Sequence, residues 1–91
     1  MDYVLVAGRH SHKTIDNLPA IFDEVTDISD FDLHKKIIHT KLKNCKHLNL
    51  YVTGLTQLLI SVINYCRLFN IEVTLYHYDV DSNRYRTQSV I

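Results

Sequence analysis

Apolar residues along this chain recur at two different spacings, and the switches between them mark out its elements. Leu48, Leu50 and Val52 alternate with Asn49 and Tyr51, the period of a half-buried strand. The run breaks at Thr53-Gly54-Leu55-Thr56, resumes as a dense apolar stretch from Leu58 to Phe69, and passes into Ile71 to Tyr78, which is rich in β-branched and aromatic residues. Strand, tight loop, helix and strand in that order predict a βαβ crossover with parallel strands. A right-handed crossover puts the Thr53–Thr56 loop at the carboxyl end of the first strand, where open α/β sheets take their ligands.

The remaining elements are arranged around that unit. Tyr3 to Ala7 is a short continuous apolar run, as in a strand buried on both faces, and it ends at Gly8. Leu18, Ile21, Phe22 and Val25 fit a helix capped by Asp16 or Thr14, with Pro19 in its first turn. Asp27, Asp30 and Asp32 read as a solvated connection, and Asp30 or Asp32 is placed to cap a helix from about Phe31 or Leu33 to Leu42. Ile37, Ile38 and Leu42 give that helix its apolar side, while Lys35, Lys36, Lys41 and Lys43 lie mostly on the other. The helix after Thr56 is apolar around most of its circumference, so its outer side calls for a second partner, for which a second copy of the chain is the natural candidate. Asn70 suits a left-handed helix end. Tyr85, Thr87 and Ser89 alternate with charged or amide residues after a turn of Asp, Ser and Asn, which predicts a closing hairpin. The fold class expected is a single α/β domain over residues 1–91, with a mostly parallel sheet, flanking helices and a C-terminal β-hairpin.

Charge narrows the partners. Ten Lys and Arg balance ten Asp and Glu, so the chain lacks the basic field with which domains grip long DNA or RNA. A small anionic ligand held by backbone amides is still compatible with neutrality. No apolar run reaches the roughly 18–20 residues that cross a bilayer, and Met1-Asp2 leads into a strand without a basic leader, which together predict a cytoplasmic protein. Cys45 and Cys66 fit that compartment as reduced, buried thiols without the spacing of a zinc or redox site.

The densest chemistry lies in Arg9-His10-Ser11-His12-Lys13-Thr14, directly after the first strand. If that strand is central and parallel, this segment and the Thr53–Thr56 loop open on the same sheet edge. In an extended segment His10 and His12 fall on one side, as a metal-binding or acid–base pair would require, though a zinc site needs a third ligand that nothing specifies among His34, His39, His47 and His77. Gly54 lets the loop backbone approach a ligand, and the first amides of the following helix suit a phosphate. The loop is neither a Walker motif nor the dinucleotide fingerprint, and Ser11 stands in no nucleophile elbow. Asp79, Asp81 and Asn83 match the opening of a calcium loop but lack its glycine and closing glutamate.

With Ser11-His12-Lys13-Thr14 after one strand and Thr53-Gly54-Leu55-Thr56 between a later strand and an apolar helix, the chain resembles the small CRISPR-associated ring nucleases and the CARF-type, Rossmann-like domains that bind cyclic oligoadenylates. The resemblance implies an antiviral-defence hydrolase: a homodimer whose two-fold axis passes through a site for a cyclic oligoadenylate, foremost cyclic tetra-adenylate, cleaved without metal or cofactor. The ribose 2′-hydroxyl attacks the adjacent phosphorus and leaves a 2′,3′-cyclic phosphate. On that reading Ser11 and His12 touch the scissile phosphate, with His12 as proton donor, and Arg9, His10 and Lys13 stabilise its charge. Thr14, Thr53, Gly54, Thr56 and Gln57 hold phosphate or ribose. Two alternatives remain open from the sequence: a sensor or sponge that binds the nucleotide without cutting it, and a ligand-free interaction module built on the Leu58–Phe69 helix.

Overall fold

The computed structural model describes residues 1–8 and 17–90. They form a mixed sheet with two helices, an α/β architecture. The strands are β1 (Asp2–Val6), β2 (Ala20–Phe22), β3 (His47–Tyr51), β4 (Glu72–Asp79) and β5 (Arg84–Ser89); α1 (Phe31–Leu42) joins β2 to β3, and α2 (Thr56–Leu68) joins β3 to β4. Sheet order is β2-β1-β3-β4-β5. β1 pairs in parallel with both β2 and β3, β3 pairs in parallel with β4, and β5 closes the sheet as an antiparallel hairpin. The crossover and the hairpin therefore follow the sequence pattern, and β1 lies inside the sheet with a parallel neighbour on each side.

Register decides which residues meet the helices. Tyr3 pairs with Leu50, and Leu50 with Leu75, so they share the face on which Leu5, Leu48 and Val73 are buried against Ile38, Leu42, Leu58, Val62 and Cys66. The alternate residues form two rows across the opposite face, Asp2–Asn49–Thr74–Ser89 and Val4–Tyr51–Tyr76–Thr87. Neither helix covers that face. Its tyrosines instead cover one another: Tyr51 stacks on Tyr76 at 4.6 Å, and Tyr85 meets Tyr51 at 5.1 Å and Tyr78 at 5.3 Å, edge to face.

The expected helix through Leu18, Ile21, Phe22 and Val25 is not formed. Ala20 to Phe22 is instead a strand beside β1, and Val25 lies exposed in a turn. The Val4 amide donates to the Pro19 carbonyl and the Ala7 amide to that of Phe22, at 2.9 and 2.8 Å. Pairing with a central strand satisfies these backbone groups and buries Ile21 and Phe22, which outweighs a local helical spacing interrupted by proline. The proposed caps of that helix, Thr14 and Asp16, lie outside the described residues.

α1 starts where its cap predicts, with the Leu33 amide donating to the Asp30 carboxylate at 3.1 Å. Its inner face holds the one fully buried polar side chain among the described residues, His34. Nε2 donates to the Asp27 carbonyl at 2.7 Å and Nδ1 meets the Ser61 hydroxyl of α2 at 2.9 Å, so the ring ties the preceding loop and both helices together. Asn70 ends α2 with φ +56°, as its identity predicts. In the hairpin turn, the Asp79 carboxylate accepts from the Asp81 amide, the Ser82 hydroxyl and Arg86. The Arg86 bond, followed by that of Ser82, holds its pKa below the ordinary carboxylate value. Among the described residues no helix is long and apolar enough to cross a membrane.

Cys45 and Cys66 are free and buried. Burial, and secondarily Cys45, push the Cys66 thiol from 9.0 up to about 12. Because the folded value lies above the unfolded one, stability from keeping this thiol neutral is complete below about pH 9 and is lost as pH rises towards about 12. At neutral pH, a thiol reagent in excess should therefore label Cys66 only as fast as the chain opens, and fast labelling of the native protein would contradict its burial. Separately, Asp30→Ala should lower stability by ~1 kcal/mol in urea denaturation, the usual worth of a helix cap.

Candidate functional site

Reversal of chain direction across the sheet creates the candidate site. From β1 the chain moves outward to β2, then returns past β1 to β3 and continues to β4. The segments leaving the carboxyl ends of β1 and β3 therefore part in opposite directions, and open α/β sheets bind ligands in the crevice at such a point.

A side chain continues the ladder where the two strands diverge. The last paired residues are Val4 and Tyr51. Two positions further on, the Val6 amide donates to Thr53 Oγ1 at 3.2 Å, and the Thr53 hydroxyl lies 3.4 Å from the Val6 carbonyl. Thr53 thus satisfies both backbone groups of Val6 that would otherwise face the gap. Its hydroxyl, expected from the sequence to hold a ligand, is committed to the crevice floor.

Beyond it the loop turns through two left-handed residues, Gly54 at φ +95° and Leu55 at φ +29°. Among the described residues a Cβ on Gly54 would meet nothing within 4 Å, so backbone conformation, not crowding, requires glycine there. Leu55 occupies the N-cap position of α2 and supplies no side-chain bond; its carbonyl accepts from Leu58 and Leu59. The amides of Thr56 and Gln57 and the Thr56 hydroxyl have no hydrogen-bond partner among the described residues. Amide donors without such a partner in a first helical turn at a sheet's carboxyl edge can donate to a phosphate oxygen.

On the β1 side, Gly8 has φ +72°, a conformation that holds the position to glycine; the nearest atom to a Cβ there, Glu24 Oε2 at 2.7 Å, is the movable end of an exposed side chain. Gly8 immediately precedes Arg9. The segment carrying most of the expected chemistry, Arg9, His10, Ser11, His12, Lys13 and Thr14, lies outside the described residues. The structure brings Thr53, Gly54 and Thr56 together at one edge, whereas Gln57 also lines a groove between the helices.

The remaining histidines have partners of their own. His34 is taken up by Asp27 and Ser61, His39 by the Tyr65 hydroxyl at 2.8 Å, His47 by Asn49 and Glu72, and His77 by Gln88. Among the described residues no group of three or more His, Cys, Asp or Glu side chains is placed to hold a metal ion.

Sequence reasoning missed two features. The Thr53–Val6 bridge needs the knowledge that β1 and β3 are neighbours. The groove between α1 and α2 was foreshadowed by the excess of apolar positions on α2, but its α1 wall was not. Comparisons of the chain with protein-family models, with curated proteins and with solved structures give no match.

Thr53→Val removes the hydroxyl and keeps the shape, leaving the Val6 amide and carbonyl without their partner. It should cost about 1–3 kcal/mol. Thr56→Val should stay within about 0.5 kcal/mol of the parent protein. Equal effects in chemical denaturation would remove Thr53 from its structural role.

Proposed function

We propose that the chain is a ring nuclease: a homodimer that binds a cyclic oligoadenylate, foremost cyclic tetra-adenylate, at the carboxyl edge of β1 and β3 and opens it without metal. The observation that carries this reading is the position of Gly8 and Gly54 just beyond the neighbouring strands β1 and β3, whose divergence the Thr53–Val6 bonds span, with the Arg9–Thr14 sequence following the first and helix amides without a partner among the described residues following the second. A sheet built this way presents fixed donors to a phosphate, and the sequence that follows Gly8 supplies cations and imidazoles. The resemblance of both loops to ring nuclease motifs supplies the ligand class.

In the proposed reaction the ribose 2′-oxygen attacks the neighbouring phosphorus while the bond to the 5′-oxygen breaks. The 2′-hydroxyl gives up its proton to solvent water, protonated His12 gives one to the leaving 5′-oxygen, and a 2′,3′-cyclic phosphate results. Arg9, His10 and Lys13 offset charge on the phosphoryl oxygens; Ser11 and Thr14 position the phosphate; the Thr56 and Gln57 amides hold a phosphate beside Gly54. Positioning and charge stabilisation of this kind can supply most of a rate enhancement without a strong base. Neutral overall charge is compatible with the reading, because a small cyclic ligand needs a local site, not a basic surface.

Incubation with cyclic tetra-adenylate in excess EDTA, resolved by liquid chromatography with mass detection, should yield linear products ending in a 2′,3′-cyclic phosphate. His12→Ala should slow their appearance by ~10²–10⁴-fold and leave binding largely intact, as expected for a positioned acid. Ligand recovered intact but bound would make the protein a sponge. Ligand neither bound nor cut would end the proposal.

A further inference from the structure

The two helices leave between them, on the side away from the sheet, a groove of about 840 Å³. One wall is formed by Phe31, Lys35 and His39 of α1, the other by Ile60, Asn64 and Leu68 of α2, each set recurring one helical turn apart. Tyr65 and Phe69, their rings 4.5 Å apart, lie within it. Tyr65 belongs to the core, but the other apolar members of this surface do not: Phe31 is 56% exposed, Ile60 51%, Leu68 73% and Phe69 53%. A cluster of this kind on one face marks an interaction site more often than scattered surface leucines do.

Shape and charge identify the occupant. Two neighbouring helices with side chains repeating every turn offer the groove into which a third helix packs its own ridge. From Phe31 to His39 the wall runs about 12 Å, long enough for the apolar stripe of roughly two helical turns. The helices carry Lys35, Lys36, Lys41 and Arg67 against a single carboxylate, Asp32, and among the described residues no acidic side chain lines the groove. The chain as a whole is neutral, so this layer is its basic part. A second copy docked groove to groove about a two-fold axis would bring two sets of Lys35 and Lys36 into an interface without a carboxylate to meet them.

We propose that the groove docks an amphipathic helix of a partner protein, with its apolar stripe between α1 and α2 and an acidic flank against Lys35 and Lys36. This surface lies apart from the sheet edge and its function does not depend on the ring nuclease reading. The probe is a fluorescent designed helical peptide with leucines at positions i, i+3, i+4 and i+7 and glutamates on the flanks, beside a twin whose flanks are lysine. Anisotropy titration of the full chain should show the glutamate peptide binding at least about tenfold more tightly than its twin, a preference set by flank charge. Leu68→Asp, at a position already exposed, should abolish binding while the circular dichroism spectrum and melting temperature hold. Lys35→Glu with Lys36→Glu should transfer the preference to the lysine twin. Equal affinity for the two peptides, binding of neither, or a concentration-dependent dimer that Leu68→Asp dissociates would overturn the proposal, the last by assigning the groove to a second copy.

Discussion

Between Asp2 and Val6 on one side and His47 and Thr53 on the other, segments far apart in sequence are held in one parallel register, and the remaining elements take their places from it. The Met1 amine donates to the His47 carbonyl, the Asn49 amide to the Met1 carbonyl and the Asn49 side chain to Asp2, while Thr53 closes the far end on Val6. A slip of one residue would turn Leu48 and Leu50 out of the core and bring Asn49 and Tyr51 beneath the helices. The same register sets Gly8 and Gly54 at neighbouring strand ends. Core and candidate site are thus fixed by one ladder, the first through burial of alternate side chains and the second through the point at which the strands part.

The helix layer meets two demands with different faces. Inward, Ile38, Leu42, Leu58, Val62 and Cys66 fill the space over the sheet, and the His34 bonds set the two helices side by side. Outward, Ile60 and Leu68 stay in solvent although packing inside the chain does not require them there. A helix that served the fold alone would carry one apolar stripe. α2 carries a second, and on the neighbouring helix Lys35 and Lys36 stand beside it.

Much of this architecture is legible in the sequence because period and punctuation agree. The alternation around Leu48 to Val52, the break at Gly54, the Asp30 cap and the Asn70 stop each have a local cause, and each element appears within a residue or two of its expected place. β2 is not legible, because a three-residue strand leaves no period to read and owes its existence to the unpaired edge of β1. The tyrosine rows are hidden for a related reason: Tyr51, Tyr76, Tyr78 and Tyr85 are scattered in sequence, and register alone makes them neighbours. At the candidate site the loop glycine and the helix start can be read directly, whereas the commitment of the Thr53 hydroxyl to Val6 depends on a long-range pairing. The assignments to Arg9–Thr14 rest on sequence and resemblance.

The ends of the sheet bear on how copies of this protein behave when crowded together. Among the described residues β2, a strand of three following a proline, forms one border, and β5, carrying Arg84 and Arg86, forms the other. Neither offers a long, flat, apolar margin for another chain to extend by backbone pairing: the first is too short, and the second sets like charges side by side. Runaway strand-to-strand stacking, the usual hazard of a small open sheet, is therefore discouraged at both borders.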